Sequence, residues 1–167
     1  MSFEKAVGIA RRQEELLVYD KFDHEDALAL GLKVAALAGK NYGATVSVRV
    51  DIEEFTVFYY RMQGRHLGND WWMAKKLNGS RKTGRSSFAN YLELRGKQEE
   101  YPWIEQVGNY ALCGGCFPIR LKGGVLAGFV MCSGLKHEMD HQLLVDALSE
   151  VLGVPAPTVL DGTAYPQ

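Results

Sequence analysis

The chain holds three cysteines, five prolines and four histidines in 167 residues. So few cysteines, and an odd number of them, exclude a disulfide framework and fit a reducing compartment. The sparse prolines come with no low-complexity tract, so nothing marks an internal linker. The longest apolar run, Val125 to Cys132, is far too short to span a bilayer. Charge of either sign is not in excess: 19 basic and 20 acidic residues leave a net charge of −1. That balance gives no general attraction to nucleic acid or an anionic membrane surface. The opening stretch, MSFEKAVGIARRQEELL, carries charges where a secretory signal needs its apolar segment, and a cytoplasmic location is expected. Also missing are the G-x-S-x-G elbow, the H-E-x-x-H zinc helix and the dinucleotide fingerprint, so three common enzyme classes find no support.

What is present reads as a globular α+β protein. Hydrophobic residues make up 47% and charged residues 23%, ordinary values for one folded domain. The expected domain is 1–153, followed by an extended tail, 154–167. Glu4 to Glu14 has the apolar spacing of a helix, and Leu16 to Tyr19 reads as a short strand. Asp23 then stands as an N-cap before a helix whose Ala27, Leu30, Gly31, Val34, Ala35 and Ala38 share one face. "GKNYG" ends it. Alternation from Val46 to Ile52, followed by aromatic and β-branched Phe55 to Arg61, predicts paired antiparallel strands. Asn69 is placed as the cap of a helix through "DWWMAKKLN", and Ser86 or Ser87 as the cap of "FANYLELRG". Phe117, Ile119 and Leu121 begin a glycine hairpin whose second strand is Val125 to Cys132. Pro118 there suits an edge or a strand start. A last helix runs from His137 to Leu152. Strands in hairpins, without regular βαβ alternation, indicate α+β.

Four groups of residues carry potential chemistry. Cys113 and Cys116, with His137 and His141, have the inner spacings of a zinc site. A full apolar hairpin separates the two halves, however, and no metal is expected there. "GSRKTGRSS" falls short of a phosphate-binding loop, because Arg85 stands where the lysine is required and the preceding segment is helical and charged. Lys75, Lys76, Arg81, Lys82 and Arg85 form a basic run that ends at Ser86-Ser87, a helix start where free backbone N–H groups favour an anion. The competing reading is a solvated basic loop. In the last helix His137, Asp140 and His141 project within about 80° of the centre of the buried stripe, so each must be paired or face a cavity. The three tryptophans and eight tyrosines can line a flat pocket or serve as core and subunit contacts.

The order of these pieces resembles the GlcG/HbpS-like haem-degrading-domain family, in particular its branch of small proteins without an assigned role. The matching residues are Asn69-Asp70 with Trp72 and Lys76, then Ser86-Ser87 and Gly114-Gly115-Cys116-Phe117-Pro118-Ile119. Ser133-Gly134-Leu135 and Asp140-His141 complete the set, so the likeness spans roughly 14 to 153. It implies a profilin-like fold, a central antiparallel sheet with helices packed on its faces. It also implies homo-oligomers and haem or a related tetrapyrrole as ligand. Cys113 stands where that branch shows a histidine. The site expected on this basis comprises Lys76, Arg85, Ser86, Ser87, Cys113, Gly114, Gly115, Asp140 and His141, holding a small anionic or flat aromatic ligand. Two other readings stand beside it: a ligand-free scaffold oligomer, and a thiol-dependent enzyme acting through Cys113.

Overall fold

The computed structural model describes residues 1–64 and 68–166. In chain order the elements are α1 (Phe3–Leu16), β1 (Val18–Tyr19), α2 (His24–Tyr42), β2 (Ser47–Ile52), β3 (Phe55–Arg61), α3 (Gly68–Thr83) and α4 (Ser87–Leu94). After a 3-10 turn at Pro102–Glu105 follow β4 (Cys116–Leu121), β5 (Leu126–Ser133) and α5 (His137–Leu152).

Local chemistry explains the firmest of these. The Asp23 side chain accepts from the N–H groups of Glu25 and Asp26, and the Asp26 carboxylate accepts in return from the Asp23 N–H at 3.0 Å. This reciprocal cap satisfies donors that the first turn of α2 would otherwise leave open. At the other end Gly43 adopts φ 57°, a left-handed conformation that costs glycine nothing and stops the helix.

The five strands lie in the order β1-β4-β5-β2-β3. Every pairing is antiparallel except that of β1, which runs parallel to the end of β4 through Val18↔Arg120 and Tyr19↔Leu121. The sheet is therefore mixed by one two-residue strand. Because β1 reaches only Arg120 and Leu121, Pro118 has no ladder on that side.

The two-residue period of a strand divides the sheet's side chains between two layers. Val48, Val50, Phe117, Ile119, Val130 and Cys132 face α2 and α5 in the main core. Cys116, Phe129 and Met131 point the other way, onto Met73 and Leu77 of α3. A third cluster joins α1 and α4 to the tail through Ala6, Ala10, Phe88, Tyr91, Val159 and Tyr165. The tail thus packs on its own body: Pro157 O accepts from Gln13 Nε2 at 2.7 Å, and Val159 N–H donates to Gln142 Oε1 at 3.0 Å. Its last residue, Gln167, lies outside the described residues.

Two local expectations are corrected. Asn69 sits inside α3 rather than capping it, and its buried amide donates to Ser133 O at 3.1 Å. The basic stretch after Asn78 is no loop, since α3 continues through it to Thr83. Among the described residues no helix is long and apolar enough to cross a membrane.

Candidate functional site

Where α3, α5 and the start of β4 converge, an ion pair lies inside the protein. Lys76 Nζ is 2.9 Å from Asp140 Oδ2, and the two side chains are 3% and 2% exposed. Lys76 also donates to Cys132 O at 3.2 Å, while Asp140 Oδ1 accepts from Leu135 N at 3.0 Å. Burial alone would push each group toward its neutral form, the carboxyl up and the ammonium down, and the opposite charge counters it in both. For Lys76 burial is the largest single influence, but the Asp140 charge and hydrogen bond together with the nearby Cys113 and Cys132 outweigh it, and the ammonium is held above its ordinary value. Pairing and hydrogen bonds are what make two charges tolerable at this depth.

Gly115 sits directly against this pair, and Gly114 against the first turns of α5. A Cβ on Gly115 would lie 2.5 Å from Lys76 Nζ and 2.6 Å from Cys132 O, and the residue's φ is +117°. A Cβ on Gly114 would run into the His137 carbonyl and come within 2.9 Å of His141 Cβ. The double glycine is thus explained by close packing of the strand start on α5.

The two histidines of α5 both donate from Nε2, and they differ at Nδ1. Gly114 N–H donates to His137 Nδ1 at 3.2 Å, so the proton sits on Nε2, which donates to Tyr165 O at 2.7 Å. His141 Nε2 donates to Gln13 Oε1 at 2.8 Å, the amide being oriented by its bond to Pro157 O. Its Nδ1 is buried without a hydrogen-bond partner among the described residues. Burial, with His137 nearby, pulls the His141 pKa down to about 3, and burial also lowers that of His137. Both rings are neutral at physiological pH.

Of the nine residues expected in the site, Lys76, Ser87, Cys113, Gly114, Gly115, Asp140 and His141 come together. Ser87 joins them by accepting from Cys116 N at 3.0 Å. This group is closely packed, and among its polar side-chain atoms His141 Nδ1 is left without a partner among the described residues. An iron bond from His141 Nε2 would require losing the bond to Gln13. Ser86 and Arg85 face elsewhere. Ser86 Oγ caps α4 by accepting from Ala89 N at 3.2 Å, and Ser86 N–H donates to Glu14 Oε1 at 2.9 Å. Arg85 Nε donates to Glu14 Oε2 at 2.6 Å. The anion held at this helix start is therefore the chain's own Glu14.

Cys113 connects the packed group to an opening. It helps to line a cleft of about 280 Å³, together with Trp72, Lys75, Tyr110 and Leu112 among others. The Lys75 ammonium is 3.9 Å from the Trp71 ring centroid and 4.8 Å from that of Trp72, cation–π contacts that hold it between the indoles. Trp72 is 37% and Trp71 53% exposed. Burial raises the Cys113 pKa against the pull of Lys76, so the free side chain is a thiol at neutral pH. Cys113, Cys116 and Cys132 are all free and buried. Among the described residues no three His, Cys, Asp or Glu side chains gather as a metal site.

Residue types in sequence could not reveal Gln13, Tyr165 or Tyr110 as members of this neighbourhood. Gln13 meets a histidine 128 positions away, and no local pattern marks such a contact. Lys75 was visible only as one cation in a basic run.

Comparison with known proteins agrees with this architecture. A UPF0303 protein of Mesorhizobium japonicum is 32% identical over 157 residues, covering 92% of this chain and 93% of that protein. One from Acidobacterium capsulatum is 33% identical over 163 residues, covering 95% and 96%. Among solved structures, Ybr137w superposes with a TM-score of 0.80 at 23% identity, covering 88% of each chain. HbpS does so at 0.63 and 20%, covering 79% of this chain and 90% of its own. A PduOC–haem complex gives 0.64 at 17%, covering 84% and 99%. The sequence profile described as "Haem degrading protein HbpS-like" matches residues 22–149. With that profile spanning most of the sheet and the helices on both its faces, the chain belongs to the HbpS-like family of haem-degrading proteins.

Proposed function

We propose that this protein binds a flat, anionic tetrapyrrole, with haem the leading candidate, in the cleft between α3 and the segment from Ile104 to Cys113. The observation that carries the reading is the cleft's composition: exposed Trp72 and half-buried Tyr110 offer π-faces, the largely buried Lys75 offers a cation for a carboxylate, and buried Cys113 is part of the lining. Lys76 and Asp140 of the packed group lie close enough to Cys113 for their charges to act on it. A neighbour of the same fold was solved with haem, and family membership points to the same ligand class. On binding, an iron centre would supply a site for a thiolate, and Cys113, a thiol in the free protein, would have to give up its proton to provide one.

The cleft is smaller than a porphyrin, so it receives one edge of the ring and leaves the rest to be covered. A second copy of the chain is the cover in this reading, which makes the protein a homo-oligomer. Exposed apolar side chains are available for it: Val107 at the cleft's rim is 71% exposed, and Phe55 on the edge strand β3 is 72% exposed. The same surface favours a second reading, a scaffold oligomer without ligand. The thiol-enzyme reading is opposed by the raised pKa of a buried Cys113. Three reduced thiols suit a cytoplasmic location.

Titration of purified protein with haemin, followed at the Soret band, tests this. Saturable binding is expected, weakened about tenfold by Trp72→Ala or Lys75→Glu, with a displaced band in Cys113→Ala. No spectral change on mixing, or wild-type affinity in both cleft variants, would remove the assignment, and light scattering alone would then decide for the scaffold.

A further inference from the structure

A second concavity, with no lining residue in common with the first, lies between α1 and the β4–β5 turn. It has a volume of about 550 Å³ and is lined by Arg11, Glu14, Val18, Arg85, Arg120 and Lys122 with neighbouring residues. Most of its charges are already matched. Arg85 is held by Glu14 at 2.6 Å and Glu93 at 3.5 Å, and Arg11 by Glu93 at 3.1 Å. Lys122 meets Asp20 at 2.7 Å, but these side chains are 65% and 81% exposed, so that pair is easily exchanged. Glu15, also on the wall, pairs with Arg12 at 3.1 Å.

Arg120 is the exception. Among the described residues no carboxylate lies within ion-pair distance of it. It is half-buried, and its guanidinium is oriented by two backbone carbonyls: Nη2 donates to Gly84 O at 2.6 Å and Nη1 to Gly124 O at 3.0 Å. A guanidinium has five N–H donors, so this anchoring leaves donors over and fixes the plane in which they lie. A cation whose geometry is set but whose charge is uncompensated, at the wall of a concavity of ligand size, is arranged for a planar or tetrahedral oxyanion. Val18 and Leu121 supply an apolar wall for the carbon body of such a molecule.

We infer that the groove between α1 and the β4–β5 turn is a binding site for a small organic anion, its carboxylate or phosphate held by Arg120 and Lys122. It is independent of the tetrapyrrole cleft, which shares no lining residue with it. Calorimetric titration of the full chain with inorganic phosphate, pyrophosphate and citrate tests the inference and distinguishes the two anion classes. At least one of them is expected to bind saturably, with affinity lowered about tenfold in Arg120→Gln. Lys122→Glu, which touches no buried group, is expected to weaken binding several-fold while leaving haemin titration unchanged. It serves as the deciding variant should Arg120→Gln fail to fold. Absence of saturable heat with all three anions, or wild-type affinity in Lys122→Glu together with Arg120→Gln where that variant folds, overturns it.

Discussion

Lys76 is nearly inaccessible, and its worth to the protein follows from what its removal leaves behind. Lys76→Met would strand the Asp140 carboxylate, and the loss of one partner from a buried pair costs about 3–5 kcal/mol. Adding Asp140→Leu removes the stranded charge, so the double variant is expected to regain part of the loss. Urea unfolding of the two single variants and the double variant measures this; strictly additive losses would mean the charges do not interact. This pair was only half legible from sequence. The helical step put Asp140 on the buried side of its helix, but its partner is 64 positions away and looked like one member of a solvated basic run. The Gly114-Gly115 step was legible only as part of an expected ligand site, whereas what packs against it, the His137 carbonyl and the Lys76 ammonium, depends on tertiary packing alone.

Among elements, α2 and the hairpins were legible because their signals are local: a reciprocal cap, an αL glycine and two-residue alternation. The full length of α3 was not. Its charged second half, through Arg81 and Lys82, resembles a loop in composition, yet buried Leu77, Gly79 and Ser80 keep it against the protein. The tail also needed the structure. Its prolines and glycine give no period, while Tyr165 is 4% exposed and packs with Phe88 at a centroid distance of 5.2 Å. Tyr165→Ala is therefore expected to cost about 3 kcal/mol, the usual loss for a buried aromatic. Limited proteolysis should then cut within 154–166 well before the body. Unchanged cleavage would show that the tail is held by its backbone bonds and not by this ring.

For the whole molecule, the neutral histidines of α5 dictate the response to acid. His141 titrates near 3 when folded and at its ordinary 6.5 when unfolded, and His137 is shifted in the same direction. Between these values the unfolded chain binds protons that the folded one refuses. Stability is thus complete above pH 6.5 and falls as pH drops, by about 1.4 kcal/mol per pH unit for His141, with His137 adding to the fall in the same direction. Urea midpoints collected from pH 7 to pH 4.5 should trace that slope, and His141→Gln should flatten it by one proton. A wild-type midpoint indifferent to pH over this range would mean that the rings accept protons in place.

The burial of all three thiols turns the cysteines into natural timers. An alkylating reagent can reach Cys116 and Cys132 only while the protein breathes open, so their modification rates in native buffer report how often each face of the sheet parts from its helices. Cys113, next to the cleft, should be modified first, and an occupant of that cleft would shield it while leaving the other two clocks running at their former pace.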